Sequence, residues 1–250
     1  MSLSILARDS AQPYRSRVVV PLPRRVSPPA PGWPPPTVDI VVPVHNGEQH
    51  LAAAVRRLHA FLRQRFPFSA RITIADSAST DGTAAIAQRL AAELPGIRVL
   101  RLNEKGRGRA LAAAWLTSEA RIVAHLAVDL DADLSGLPAL IAPVVSGHSE
   151  VSVGRGRRAD LISRAYSRLL RTVLRVHFRE AHRGFEAMRA DVARRLVPEV
   201  VDRGRFFETE LLIRAERAGL RIHELPVNRT GDEPRPASPP GSPVLRSLRP

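Results

Sequence analysis

Cysteine is absent from this chain of 250 residues, Lys105 is the single lysine, and aromatic residues make up only 4%. Without thiols there is no disulfide framework and no thiolate metal site. No apolar run reaches the ~18 residues of a membrane-spanning helix, and no charged-then-apolar leader opens the sequence. Zinc-finger spacings, aromatic nucleic-acid motifs and a basic zipper are also missing, so no nucleic-acid partner is expected. These absences suggest a cytoplasmic protein, or one peripheral at the inner face of a membrane.

What is present is arginine, apolar content and terminal proline. The chain carries 38 basic against 24 acidic residues, for a net charge of +14. Such a balance suits anionic lipid or a phosphate-rich substrate. A hydrophobic fraction of 44% can fill the core of one α/β domain. Proline and arginine crowd residues 1–36 and 232–250. Both stretches are expected to be disordered or extended, because proline removes donors and blocks helix. The domain is expected over residues 37–231.

Inside it, β-branched runs alternate with helical spacing. Strands are expected at VDIVVPV (38–44), ARITIAD (70–76), IRVLRL (97–102), RIVAHLAVDL (121–130) and EVSVG (150–154). Leu51, Val55, Leu58 and Leu62 share one helical face between the first pair. STDG opens the second helix, GRALAAAWL forms the third, and residues 137–145 form a helix bent by Pro138 and Pro143. This order predicts a mostly parallel sheet with helices on both faces. Ligands bind such sheets beyond the C-terminal strand ends. Those ends carry Pro43, His45 and Asn46, then Asp76, then Lys105, then Asp129.

Asp129, Asp131 and Asp133 close the fourth run. Alternating carboxylates at a strand end supply the hard oxygen ligands that Mg²⁺ or Mn²⁺ prefers. The segments VDIVVPVHNGEQHL, ITIADSASTDGT, NEKGRGRALAAAW, the acidic strand end and GRFFETELLIRAERAGLRIHELPV resemble, in order, the motifs of glycosyltransferase family 2. The likeness is greatest to its dolichyl-phosphate mannose synthase-like group, which moves a sugar from a nucleotide to a polyprenyl phosphate. It covers residues 38–228.

The resemblance implies a Rossmann-like A-type glycosyltransferase fold and a divalent metal, Mg²⁺ or Mn²⁺. It implies an inverting transfer from a GDP- or UDP-linked sugar to an acceptor, a polyprenyl phosphate above all. Asp76 resembles the aspartate that reads the base, with Pro43, His45, Asn46 and Glu48 on the base and ribose side. Lys105 and Gly108 resemble the glycine loop at the donor. Arg155 and Arg157 fall where the family holds an arginine of its G-x-R motif, candidates to bind the acceptor phosphate or a donor phosphate. Asp129 is the expected catalytic metal residue, with Asp131 and Asp133 as substitute ligands or a solvated turn, and Glu180 a candidate base for a hydroxyl acceptor.

The metal motif departs from the pattern. Counted without gaps from EKGRGRAL, the first metal aspartate falls on Ala127 and the second on Asp129. The wording DADLS (131–135) fits an alternative register that needs an insertion. With one carboxylate lost, and with Gly47 where an acid is usual, a member that binds nucleotide or a partner without turnover is the second reading. Residues 159–178 are expected to form a basic amphipathic helix for an anionic membrane surface, or equally a solvated face.

Overall fold

A computed structural model describes residues 25–26, 36–127, 134–156, 185–204 and 206–227. The expected helix at 159–178 and most of both terminal tails lie outside the described residues. Eight strands form one sheet: β1 (Arg25–Val26), β2 (Val38–Val44), β3 (Ala70–Ser77), β4 (Ile97–Leu102), β5 (Ile122–Leu126), β6 (Val151–Gly156), β7 (Phe185–Arg189) and β8 (Ile222–Val227), in the order β1-β4-β3-β2-β5-β7-β6-β8.

β2 is buried at every position. A strand covered on both faces needs an unbroken apolar run rather than alternation, which VDIVVPV supplies apart from Asp39. β4, β3, β2 and β5 run parallel, as expected. β7 was not foreseen: it runs antiparallel between β5 and β6. β8 pairs in parallel with β6. Residues 25–26, inside the Pro/Arg-rich tail, add a short antiparallel edge to β4.

Helices cover both faces. α1 (Leu51–Arg65), α2 (Thr83–Glu93) and α4 (Leu137–Val145) pack one side, with Leu51, Val55, Leu58, Ala87, Leu90, Leu140 and Ile141 in that core. α3 (Arg107–Leu116), α5 (Ala190–Leu196) and α6 (Phe207–Arg217) pack the other around Trp115, Phe207 and Leu211. Ala112, Ala113 and Ala114 are all buried, so α3 approaches the sheet closely while α5 and α6 cover its back. Burying such apolar surface contributes roughly 25 cal/mol per Å² and drives the layering.

The chain builds β2, β3 and β4 outward on one side, then crosses to place β5 on the other side of β2. The two strands stay paired from Val38↔Ile122 to Val41↔His125 and not beyond. β5 spans Ile122–Leu126, and residues 128–130 of the expected run lie outside the described residues. The β2–β3 pair continues to Val44↔Asp76. In open α/β sheets the crevice at the point where strand order reverses is the usual ligand position, and here that point lies between β2 and β5.

Candidate active site

Two loops at the C-terminal sheet edge are laced together. Asn46 N donates to Ser79 Oγ (2.9 Å), Gly47 N to Thr83 Oγ1 (2.8 Å) and Glu48 N to Asp81 Oδ2 (3.2 Å). In return Thr80 N donates to Asn46 Oδ1 (2.9 Å) and Gly82 N to Glu48 Oε2 (2.8 Å). His45 Nδ1 lies 2.9 Å from the Ser77 carbonyl. A carbonyl only accepts, so the ring proton sits on Nδ1 and Nε2 keeps a lone pair in the neutral ring.

Asn46 and Ala78 both take left-handed backbone, at φ 51 and 58. Asparagine adopts this conformation readily, whereas alanine gives up about 1–2 kcal/mol there. Strain of this kind gathers at functional sites. Glu48, expected on the base and ribose side, caps the start of α2 through Gly82 N. Asp81 is held below its ordinary pKa, first by the Thr83 hydroxyl.

Asp76, the penultimate residue of β3, has no exposed surface. Its Oδ1 accepts from Ser79 N at 3.0 Å, while Oδ2 has no hydrogen bond and lies 3.6 Å from Arg101 Nε. A buried carboxylate oxygen without a hydrogen bond is costly and calls for a partner. Pro43, His45, Asn46, Glu48 and Asp76 thus meet around one edge of the sheet.

Lys105 is exposed on the following loop, and its carbonyl accepts from Arg109 Nη1 at 3.1 Å. Gly108 is buried at the start of α3. A Cβ there would meet Phe207 Cβ at 2.5 Å and the Arg203 backbone at 2.8 Å. Its lack of a side chain lets α3 press against the loop before α6, where Arg109 N bonds the Arg203 carbonyl at 3.0 Å.

Beside this edge lies a charged group that spacing alone did not reveal. Arg107 Nε donates to Glu208 Oε1 at 2.9 Å. His125 Nε2 approaches the same oxygen at 3.0 Å without hydrogen-bond alignment. Glu186 pairs with His125 across β5 and β7. Burial would raise the Glu208 pKa, but His125 and then Arg107 hold it down at about 2. Burial pushes His125 below its ordinary value, so at neutral pH the ring is uncharged and Arg107 is the cation that Glu208 answers. Burial first, then the Glu208 charge, raises Glu186 well above the carboxylate range. Sequence offered one hint: the acid of FFETEL sits in the first turn of a helix otherwise facing the core.

Asp129, Asp131, Arg157 and Glu180 lie outside the described residues. Arg155 falls in β6, its backbone paired with Pro226. Among the described residues no three His, Asp or Glu side chains gather as a metal cage. The described part of the site therefore does not by itself make a donor set for Mg²⁺ or Mn²⁺.

A family model described as glycosyl transferase family 2 matches residues 39–214, and the chain belongs to that family. Over 203 residues it is 32% identical to glycosyltransferase AglD of Haloferax volcanii, covering 76% of this chain and 32% of AglD; it spans about a third of that relative. Over 202 residues it is 31% identical to the undecaprenyl-phosphate mannosyltransferase of Micrococcus luteus, covering 75% of this chain and 81% of that enzyme. It therefore falls with the polyprenyl-phosphate glycosyltransferase-like group. Glucosyl-3-phosphoglycerate synthase from Mycobacterium tuberculosis, solved with uridine diphosphate, superposes with a TM-score of 0.62 at 20% identity, over 83% of this chain and 79% of that one. The same enzyme with Mn²⁺, uridine diphosphate and glucosyl-3-phosphoglycerate gives a TM-score of 0.60 at 19% identity, over 81% and 77%. The fold is the A-type glycosyltransferase fold.

Proposed function

We propose that this chain transfers a sugar, with inversion, from a GDP- or UDP-linked donor to a polyprenyl phosphate. The observation that carries the reading is the buried Asp76 carboxylate at the strand crossover, with one oxygen lacking a hydrogen bond and two laced loops holding its surroundings rigid. A nucleobase with adjacent N–H groups fits such an acceptor. His45 and Asn46 flank it on the ribose side, and Pro43 closes the strand end beneath.

The match to an undecaprenyl-phosphate mannosyltransferase supports a lipid phosphate as acceptor. A phosphate is anionic near neutral pH and attacks without strong general-base help, whereas a hydroxyl acceptor needs a carboxylate such as Glu180. In-line displacement by that oxygen inverts the anomeric carbon and releases the nucleoside diphosphate. Arg155 and Arg157 are the proposed receivers of the acceptor phosphate. Asp129 with Asp131 would hold Mg²⁺ or Mn²⁺, which would offset charge on the leaving diphosphate as a Lewis acid. No helix among the described residues is long and apolar enough to cross a membrane. The lipid is then met at a membrane surface.

Calorimetry with UDP and GDP, each with Mn²⁺, tests the reading together with an assay of donor consumption. Micromolar binding and transfer to a polyprenyl phosphate are expected. Binding without turnover would leave a nucleotide-binding relative, and no binding would end the proposal. Ala127→Asp is expected to tighten Mn²⁺ binding if Asp129 is the remaining metal residue. No gain, with binding lost in Asp131→Asn, would move the metal to the DADLS segment.

A further inference from the structure

Arg107 is the first residue of α3, which crosses β3 and β2 on the side of Trp115. Through Glu208 it is tied to His125, the last β5 residue paired with β2. Its guanidinium is thus tied to the point where the β2–β5 pairing ends and strand order reverses. The Nε is satisfied by Glu208, the Nη2 atom is buried without a hydrogen bond, and 32% of the side chain is open. A guanidinium fixed along one edge and unsatisfied along another is prepared for a second oxygen ligand.

The anchor is built to stay put. The Glu208 side chain is only 8% exposed, and its Oε1 accepts from Arg107 Nε with His125 Nε2 at 3.0 Å. Glu186 faces this pair from β7 and keeps its proton, so it adds no second negative charge beside the guanidinium. Trp115 and Phe207 wall the group on the core side, with ring centroids 6.0 Å apart.

We propose that Arg107 grips the diphosphate of the donor from the α3 side of the crevice, and that Glu208 is the positioning residue that aims it. The inference rests on the transferase reading and deepens it. In the gapless register Ala127 stands where a metal carboxylate would be, immediately beyond Leu126 at the end of β5. Arg107 supplies fixed positive charge beside that gap, so part of the diphosphate affinity survives without a divalent cation. Bidentate guanidinium–phosphate bonding has the strength and geometry for this.

The test is calorimetry on the full chain with UDP, GDP and their nucleosides, in EDTA and in Mn²⁺. The wild-type chain is expected to bind one diphosphate in EDTA. Arg107→Gln is expected to lose about tenfold or more of that affinity, the size of a lost charge-assisted contact. Nucleoside affinity should not change, and Arg107→Lys should recover part of the loss. Glu208→Gln should weaken the diphosphate and spare the nucleoside, which a merely structural role would not do. Equal loss for diphosphate and nucleoside, or no loss in Arg107→Gln, overturns the inference and leaves the transferase reading standing. Diphosphate binding by the wild type that vanishes in EDTA overturns it as well. A wild-type chain that binds neither diphosphate in Mn²⁺ ends both.

Discussion

Asp39 and Asp76 lie on adjacent strands at opposite ends of the sheet, and neither has exposed surface. Their surroundings differ completely. Asp39 Oδ1 accepts from Thr73 Oγ1 at 2.6 Å, and Oδ2 accepts from Arg71 Nη2 at 2.6 Å and Ser118 Oγ at 2.7 Å. Every oxygen has a partner, and the network ties β2, β3 and the turn after α3 together. Asp76 keeps one oxygen without a hydrogen bond, and Arg107 and Glu186 at the same end are also incompletely satisfied. Equal burial thus serves stability at the N-terminal edge and leaves capacity for a ligand at the other.

The strongest way to break this comparison is Asp39→Ala. It leaves Arg71 charged and 12% exposed with no carboxylate, and losing one partner of a buried ion pair costs about 3–5 kcal/mol. Urea unfolding should show that loss, while UDP or GDP affinity of the folded fraction stays near the wild-type value. A large affinity loss with little destabilisation would remove the division between the two edges.

Next in size is a pH effect at the opposite edge. Glu186 has its pKa raised in the folded chain above the ordinary 4.5, mainly by burial. Above pH 4.5 the unfolded chain therefore releases a proton that the folded chain keeps, and stability falls as pH rises toward the folded pKa. Arg107, His125 and Glu208 face this carboxyl from α3, β5 and α6. His125, held below its ordinary 6.5, acts in the opposite sense, losing stability as pH falls below that value. Glu186→Gln removes only the first contribution. Its stability relative to wild type should rise between pH 5 and 7, by at most ~1.4 kcal/mol per pH unit. Urea midpoints at both pH values check this, and a difference independent of pH would mean that Glu186 is ionised.

Gly108→Ala probes whether the ligand edge also contains purely structural positions. The new methyl would press on Phe207 Cβ at 2.5 Å and on the Arg203 backbone, which has little room to yield. Overpacking of this kind costs about 1–3 kcal/mol, readable as a lower urea midpoint. An unchanged midpoint would show that the α3–α6 joint relaxes freely.

Sequence made one half of this comparison far more visible than the other. The parallel strands and the gathering of Pro43, His45, Asn46 and Asp76 followed from period, chain order and the place where α/β sheets bind ligands. Strand β7 did not, because antiparallel insertion beside β5 leaves no local signature in FEAMR. The Arg107–Glu208 pair joins residues 101 apart in sequence, a contact that no spacing rule reaches. Asp39 interrupts the apolar run VDIVVPV, and its partners Arg71, Thr73 and Ser118 come from β3 and from the turn after α3, beyond the reach of local pattern. Glu48, expected on the base and ribose side, also holds the next helix through Gly82.

Asp76→Asn is the mildest change and the one that sharpens the comparison most. The amide keeps an oxygen for Ser79 N, so the turn after β3 survives, and removing the charge near the half-exposed Arg101 changes little. Stability should stay within about 0.5 kcal/mol of wild type. The new amide can present a donor where a nucleobase presents its own N–H groups. One charge-assisted contact becomes a mismatch, and nucleoside and nucleoside diphosphate should both weaken by about tenfold, or ~1.4 kcal/mol. This pattern differs from that expected of Arg107→Gln, which spares the nucleoside. If Asp76→Asn instead unfolds the chain while leaving nucleoside affinity intact, then the carboxylate belongs with Asp39 as a structural group, and burial without a full set of partners ceases to mark the ligand edge.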